Sequence, residues 1–172
     1  MKIDVVFTVV TGRYDTPRPP KERIEGCKYI CFSDEPHEFE GWDNVVVENK
    51  RGIPPHEFSR YLKIGNPFFT YAKGETWVYV DANYQIVGDL QKLRFGVFFA
   101  VKHPERTNAY EEINYLIDHA EHYKINPKDL ARLTDQYTKI KYKSTKGILA
   151  GGFFGIYFNQ AGYNFKIGRA HV

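Results

Sequence analysis

The sequence predicts an α/β fold with a mostly parallel central sheet, and three observations lead to this class. Short apolar runs rich in Val, Ile, Phe and Tyr recur along the chain, separated by turns that contain Gly or Pro. Two later segments instead repeat their apolar residues at helical spacing. No internal repeat or low-complexity linker interrupts this pattern, so we predict one domain over residues 1–166.

The first half of the chain predicts four strands and one short helix. The β-branched run that opens the chain ends at Thr11-Gly12, and a polar, proline-containing segment follows it. The helical segment stops before Asn66-Pro67, because a residue that precedes proline disfavours helical geometry. The predicted strands are residues 3–10, 27–33, 42–49 and 77–80, and the predicted helix is residues 57–64.

The second half predicts a strand, two helices and a final strand punctuated by glycine. Asn108 with Glu111 three residues later has the pattern of a capping box at a helix start. Asn126 followed by Pro127 combines an N-cap with proline in the first turn. The predicted strands are residues 95–104 and 147–159, with the helices beginning at residues 108 and 126.

Composition and charge limit the class of protein and its partners. The 172 residues are 42% hydrophobic and 26% charged, which is typical of a soluble globular protein. A net charge of +3 is too small to indicate nucleic acid as a partner. We expect a cytoplasmic chain with no transmembrane segment and with reduced, partly buried thiols at Cys27 and Cys31.

The last six residues, 167–172, have the sequence IGRAHV and share no pattern with the residues before them. They match one translated reading frame of a common DNA-sequencing adapter. We therefore expect a non-native tail after residue 166 and a fold that is incomplete at its C-terminus.

Asp81 and Asn83 directly follow the strand pattern Trp77–Val80. Ligands of open α/β sheets bind at the carboxyl ends of strands. Hard divalent cations prefer carboxylate, amide carbonyl and phosphate oxygens as ligands. These two side chains therefore predict a Mg²⁺ or Mn²⁺ site that also holds a diphosphate. The alternative is a plain turn, with Asp81 as its cap and Asn83 in a left-handed conformation.

Arg60 and Lys63 lie three residues apart on the predicted helix and therefore share a face. Arginine binds phosphate through its planar fork and lysine binds it as a point charge. If this face points at the site, the two cations neutralise a diphosphate. The alternative is an ordinary solvated surface.

Eight segments form an ordered set of motifs along the chain. They are VVTGRYD (9–15), YICFSDEP (29–36), Trp42 with the valines after it, RYLK (60–63), VYVDANYQIVGDL (78–90), KHPERTNAYEE (102–112), DQY (135–137) and LAGGFF (149–154). In order and rough spacing they resemble the glycosyltransferase-like domain of the TOD/MUCI type, which occurs in bacterial polysaccharide loci and plant Golgi proteins. The resemblance covers nearly the whole chain, so it is more specific than any single motif.

This resemblance implies a GT-A-like fold, a Rossmann-type sandwich that binds nucleotide-sugars. It implies metal-assisted transfer of a sugar from a nucleoside diphosphate sugar to a glycan acceptor in bacterial polysaccharide biosynthesis. It strengthens the assignment of Asp81 and Asn83 to the metal or the diphosphate.

The resemblance also implies which residues contact the nucleotide. The loop after the first strand would contact base and ribose, with Gly12 permitting a tight turn and Asp15 accepting a hydrogen bond. Asp34 would contribute in the same way after the second strand. The alternative for all of them is an ordinary turn. The implied nucleotide-binding set is Thr11, Gly12, Tyr14, Asp15, Asp34, Arg60 and Lys63.

The segment 102–112 would line the sugar or acceptor side of the cleft, with His103, Arg106 and Glu111 as catalytic candidates. The alternative is that Glu111 only caps the helix and that Arg106 is solvated. Gly151 and Gly152 would let a sugar approach the backbone closely, or would form a turn or bulge.

Two rival functions remain open at this stage. A non-catalytic glycan- or nucleotide-binding domain would have a similar sequence, and a glycan-binding module would need neither nucleotide nor metal. A metal-dependent nucleotidyltransferase also carries carboxylates at strand ends, but it would prefer a nucleoside triphosphate.

Overall fold

The computed structural model describes residues 2–93, 98–123, 125–141 and 149–158. These residues divide into two units within the span for which the sequence predicts one domain. The first unit contains the described residues up to 100 and from 151 to 158, and the second contains those from 101 to 150. The suspected tail at residues 167–172 lies outside the described residues.

Six strands of the described chain form one sheet. They are β1 (Val5–Val10), β2 (Lys28–Ser33), β3 (Asp43–Val46), β4 (Thr76–Val80), β5 (Phe98–Lys102) and β6 (Leu149–Tyr157). Their order across the sheet is β3-β2-β1-β4-β6-β5. The first four are parallel, and β6 runs antiparallel to β4. The predicted α/β class and the mostly parallel sheet are therefore confirmed.

The strand order reverses between β1 and β4. The chain leaves β1 for β2 and β3 on one side of the sheet, and then returns to pair β4 with the opposite side of β1. Helix α1 (Pro55–Ile64) and a 3₁₀ turn (Pro67–Tyr71) make this return. Open α/β sheets bind ligands in the crevice at such a switch point.

Alternating side chains of the strands build two apolar clusters in the first unit, because successive residues of a strand point to opposite faces. One cluster packs under Phe58 and Leu62 of α1, and the other lies under the irregular segments that contain Ile24 and Ile86. Phe7 lies at the centre of the first cluster. Its ring lies 5.3 to 6.5 Å, between centroids, from the rings of Phe32, Phe69, Trp77, Tyr79 and Phe154.

The second unit contains helices α2 (Ala109–Asp118) and α3 (Pro127–Lys139). Asn108 accepts the Glu111 N–H at 3.0 Å and Asn126 accepts the Lys128 N–H at 3.0 Å, so both predicted N-caps are confirmed. The rings of Tyr110 and Tyr137 pack edge to face between the two helices, with 6.2 Å between their centroids.

The element boundaries differ from the predictions by a few residues. Helix α1 begins at Pro55 instead of residue 57, because proline is accepted in a first helical turn. Of the predicted strand 95–104, residues 95–97 lie outside the described residues, and β5 ends at Lys102, two residues before the predicted end. No helix in the described residues is long and apolar enough to cross a membrane. Cys27 and Cys31 are free thiols, and burial raises their pKa values to about 11 and about 12.

Replacing Phe7 with alanine should lower the free energy of unfolding by about 3–5 kcal/mol, because it removes a buried ring from five aromatic contacts. Urea denaturation of both proteins measures the loss. Tyr71→Ala is the control, since that ring is 83% exposed and its loss should change stability by no more than about 0.5 kcal/mol. A loss below about 1 kcal/mol for Phe7→Ala would contradict this account of the core.

Candidate functional site

Asp81 is the first polar side chain after the five buried residues of β4. Its N–H donates to the Gly152 carbonyl at 2.8 Å, which continues the pairing of β4 with β6. Its own carbonyl accepts the Tyr84 N–H at 2.9 Å and closes a turn. The side chain is 36% exposed, so the carboxylate stands at the carboxyl edge of the sheet, on the strand beside the switch point.

The two oxygens of the Asp81 carboxylate have different surroundings. Oδ1 accepts hydrogen bonds from the Tyr79 hydroxyl and from Lys63 Nζ, the latter at 3.3 Å. Burial, and then the charge of Asp81, raise the pKa of Tyr79, so this hydroxyl stays protonated and donates. No described residue donates a hydrogen bond to Oδ2. One carboxylate oxygen is therefore fixed and the other is available.

Lys63 lies between Asp81 and the ring of Tyr79. Its side chain is only 17% exposed, and Nζ lies 4.2 Å from the ring centroid. Burial lowers the pKa of Lys63, Asp81 opposes this change, and the nearby charge of Arg60 adds to it. Arg60 itself is exposed. The structure thus brings Lys63 into contact with Asp81 and places the charge of Arg60 near that of Lys63.

Helix α1 connects the ends of β1 and β4. The Thr11 hydroxyl donates to the Pro55 carbonyl at 2.7 Å, whereas Lys63 in the last turn contacts Asp81. Gly12 has φ +61°, and a Cβ there would lie 2.7 Å from Pro55 Cβ. Thr11 and Gly12 therefore fix the first turn of α1 against β1, and the Thr11 hydroxyl is already used.

The loops after β1 and β2 bind each other. Both Asp34 oxygens accept the Gly12 N–H, at 2.9 and 3.1 Å, and Arg13 forms an ion pair with Glu35 at 2.7 Å. Asp34 therefore has a structural partner, in agreement with the turn interpretation. Asp15 is exposed, and its charge contributes to the raised pKa of Tyr79.

Tyr14 has no role in this loop network beyond the N–H that it donates to the Thr11 carbonyl at 3.4 Å. Tyr14 is 89% exposed, more than any other large hydrophobic residue of the described chain. Gly12, Tyr14 and Asp15 of the predicted nucleotide-binding loop are exposed, whereas Thr11 is buried.

Gly151 and Gly152 lie within β6 and not in a turn. A Cβ on Gly152 would be 2.9 Å from Asp81 Oδ2 and 2.9 Å from the Tyr84 hydroxyl. A Cβ on Gly151 would be 3.7 Å from Lys63 Nζ, which is an ordinary contact distance. Because Gly152 has no side chain, Asp81 Oδ2 can lie close to the β6 backbone. Because Gly151 has no side chain, the space beside the Lys63 ammonium is open.

Asn83 is exposed in the turn that follows Asp81. Among described residues other than glycine, only Arg13 and Lys141 have positive φ, so the alternative of a left-handed Asn83 is wrong. No group of three or more His, Cys, Asp or Glu side chains in the described part of the chain is arranged to hold a metal ion. Asp81 and Asn83 would therefore hold a divalent cation only together with oxygens of a ligand and water.

In the second unit, His103, Arg106 and Glu111 take part in local contacts. His103 Nδ1 accepts the Arg106 N–H at 3.0 Å. The Arg106 guanidinium pairs with Glu112 and lies 4.1 Å from the centroid of the Tyr115 ring. This side chain is only 16% exposed, so the alternative of a solvated Arg106 is wrong. Its hydrogen-bonding capacity is largely used by these neighbours.

Glu111 completes the predicted capping box of α2. Its carboxylate accepts the Thr107 N–H at 2.7 Å, and this hydrogen bond is the main reason that the pKa of Glu111 is lowered. The capping role is therefore confirmed.

No family model, no curated protein and no solved structure matches this chain. The resemblance in the sequence motifs therefore stays a prediction.

Tyr79 and Tyr84 belong to the site but were absent from the sequence predictions. Tyr79 precedes Asp81 by two residues and therefore shares its face of the strand, a signal that was available. Tyr84 contacts the position of Gly152 because β6 pairs with β4. No local pattern in the sequence predicts that pairing.

Gly152→Ala should lower the free energy of unfolding by about 1 kcal/mol, because the new methyl group displaces Asp81 or Tyr84. Gly151→Ala is the matched control in the same strand. It should be neutral or stabilising by up to about 0.5 kcal/mol, since alanine loses less backbone entropy than glycine. Thermal and urea unfolding measure both effects, and equal effects of the two substitutions would contradict the close packing at Gly152.

The contribution of Glu111 to stability should depend on pH. Because its folded-state pKa lies below the ordinary value of 4.5, the contribution is complete above about pH 4.5 and is lost as the pH falls through the folded-state pKa. The gap in unfolding free energy between wild type and Glu111→Ala should therefore narrow between pH 7 and pH 3. Glu121→Ala, an exposed control in the same unit, should show a small gap throughout. A gap for Glu111→Ala that stays constant would refute the capping assignment.

Proposed function

We propose that this chain is a glycosyltransferase that binds a nucleoside diphosphate sugar with Mn²⁺ or Mg²⁺ and transfers the sugar to a glycan acceptor. One observation carries the proposal. A half-exposed carboxylate stands at the carboxyl edge beside the switch point of the sheet, with one oxygen held, the other without a protein donor in the described residues, and the ammonium of Lys63 beside it.

Asp81 Oδ2 and the side-chain carbonyl of Asn83 are the oxygens that would hold the divalent cation. A cation bound there would offset negative charge on the departing diphosphate. Asp81 is presented in a fixed orientation, because Tyr79 holds its other oxygen and Gly152 leaves room beside Oδ2. Fixed ligands of this kind need little reorganisation when charge develops.

Arg60 and Lys63 are the groups that would bind the phosphates. The two cations are on one face of α1, and the Arg60 charge acts on Lys63. Arg60 is exposed and has no ion-pair partner in the described residues, so its planar fork is free for a phosphate.

The nucleoside would lie along the loop after β1. The exposed Tyr14 ring offers a stacking surface, and the Asp15 carboxylate accepts hydrogen bonds from a base or ribose hydroxyl. Thr11, Gly12 and Asp34 hold this loop in shape through contacts with α1 and with each other. They support the nucleotide site instead of contacting the ligand.

The sugar would lie near the start of β6. Gly151 is exposed and leaves the backbone accessible, whereas Gly152 is buried against Asp81 and the partly exposed Tyr84. The resemblance assigns His103, Arg106 and Glu111 to the sugar or acceptor side. Local contacts already explain Arg106 and Glu111, so the proposal depends on the first unit.

Asp81→Asn should abolish metal-dependent nucleotide binding. Calorimetric titration of the purified chain with UDP and GDP, each with and without Mn²⁺, provides the measurement. Wild type should bind one of them only with Mn²⁺, and the substitution should weaken that binding at least tenfold, about 1.4 kcal/mol. The neutral amide keeps the shape of the carboxylate and removes its charge.

Asp43→Asn is the matched control, because Asp43 is exposed at the start of β3, at the opposite edge of the sheet from Asp81. It should bind nucleotide like wild type. Nucleotide binding that is independent of Mn²⁺ would favour a non-catalytic domain. Preference for a triphosphate would favour a nucleotidyltransferase, and binding of glycan alone would favour a lectin-like module.

A further inference from the structure

We propose that Lys63 is an internal counter-ion, which neutralises Asp81 in the ligand-free site, is displaced by the divalent cation and then binds the phosphate of the ligand. This inference rests on the proposed function and adds an order of events to it. It is based on two differences: Asp81 Oδ1 has two partners and Oδ2 has none in the described residues, and Lys63 contacts both Asp81 and the ring of Tyr79.

The contact between Lys63 and Asp81 is the longer of two on the same oxygen. Nζ lies 3.3 Å from Oδ1, whereas charge-assisted N–H···O hydrogen bonds are usually about 2.7–2.9 Å long. The Tyr79 hydroxyl makes the closer contact with Oδ1. Asp81 therefore keeps a hydrogen-bond donor and its orientation when Lys63 leaves.

A divalent cation on Oδ2 would repel Lys63. Both positive groups would lie on one carboxylate, within a few ångströms of each other, and like charges at that distance destabilise one another strongly where solvent is partly excluded. Lys63 is only 17% exposed, so water screens this repulsion poorly. Occupation of the metal position and the contact between Lys63 and Asp81 are therefore in competition.

The surroundings of Lys63 give its ammonium a place to go. The Tyr79 ring supports Nζ from one side at 4.2 Å, a cation–π contact that does not depend on Asp81. On another side Gly151 has no side chain, and even a Cβ there would be 3.7 Å away. The ammonium has three N–H donors and uses one on Asp81, so it can turn toward a phosphate beside Gly151.

This exchange couples the metal to the diphosphate. In the ligand-free site, the metal must displace Lys63 without compensation. When the diphosphate binds as well, Lys63 gains a new anionic partner. Metal binding should therefore be weak alone and stronger with the nucleotide, which is a positive coupling between two ligands.

Lys63→Met tests the inference, because methionine keeps the length of the buried stem and removes the charge. The expected result is Mn²⁺ binding in the absence of nucleotide that is at least about fivefold tighter than in wild type. UDP or GDP binding at saturating Mn²⁺ should be at least about fivefold weaker. Calorimetry measures nucleotide binding, and the electron paramagnetic resonance signal of free Mn²⁺ measures metal binding.

Two further variants keep the test sharp. Lys73→Met removes the same charge from an exposed position in the turn before β4, at the opposite end of that strand, and should change neither affinity. Lys63→Arg keeps a cation at the site and should bind Mn²⁺ alone about as weakly as wild type.

Circular dichroism shows whether each variant is folded. If Lys63→Met does not fold, Lys63→Arg provides the test. Mn²⁺ binding to Lys63→Arg that is fivefold tighter than to wild type would then overturn the inference.

The outcomes separate the inference from the proposed function. If wild type binds Mn²⁺ and nucleotide together but Lys63→Met binds Mn²⁺ alone no more tightly, the counter-ion role is wrong and the proposed function stands. If Lys63→Met binds Mn²⁺ more tightly but no protein binds nucleotide, the competition between Lys63 and the metal stands, whereas the phosphate-binding step and the proposed function both fall. If no variant binds Mn²⁺, both are wrong.

Discussion

The pairing of β4 with β1 on one side and with β6 on the other places the main groups of the candidate site. Because β4 is parallel to β1, Asp81 emerges at the edge of the sheet where the loop after β1 begins. Because β6 is antiparallel to β4, Gly152 near its start meets Asp81, and Gly151 lies beside Lys63. Helix α1 then needs only ten residues to bring Lys63 to the same place.

The chemistry of the site follows from the cost of placing charge beside an aromatic core. Asp81 directly follows a fully buried strand, and Lys63 is mostly covered, so each charge needs a partner. The chain supplies the minimum: one phenol hydroxyl and one ion pair, both on a single carboxylate oxygen. The remaining oxygen has no protein donor in the described residues, so the proposed cation would bind there with additional ligands of its own.

Local signals in the sequence predicted the elements, the asparagine caps of α2 and α3 and the position of Asp81 at a strand end. They act over a few residues, so a single sequence contains them. The contacts of Gly152 with Asp81 and of Lys63 with Tyr79 depend on strand pairing and on the direction of α1, which no local pattern specifies. The alternative of a solvated Arg106 was wrong for the related reason that its partners on α2 become neighbours only after the helix forms.

The site contains two kinds of groups, and the difference determines what a ligand must change. The loop groups Gly12, Asp34 and Thr11 already have partners, so this frame is preorganised and binding need not rebuild it. Tyr14, Asn83 and Asp81 Oδ2 point to solvent or lack a donor, so they are ready for a ligand. Lys63 belongs to both kinds, because it already has a partner, Asp81, and that partner is the carboxylate that the proposed metal would bind. The structural cost of the proposed binding would therefore fall on one side chain, whose flexible stem can move without moving a strand or a helix.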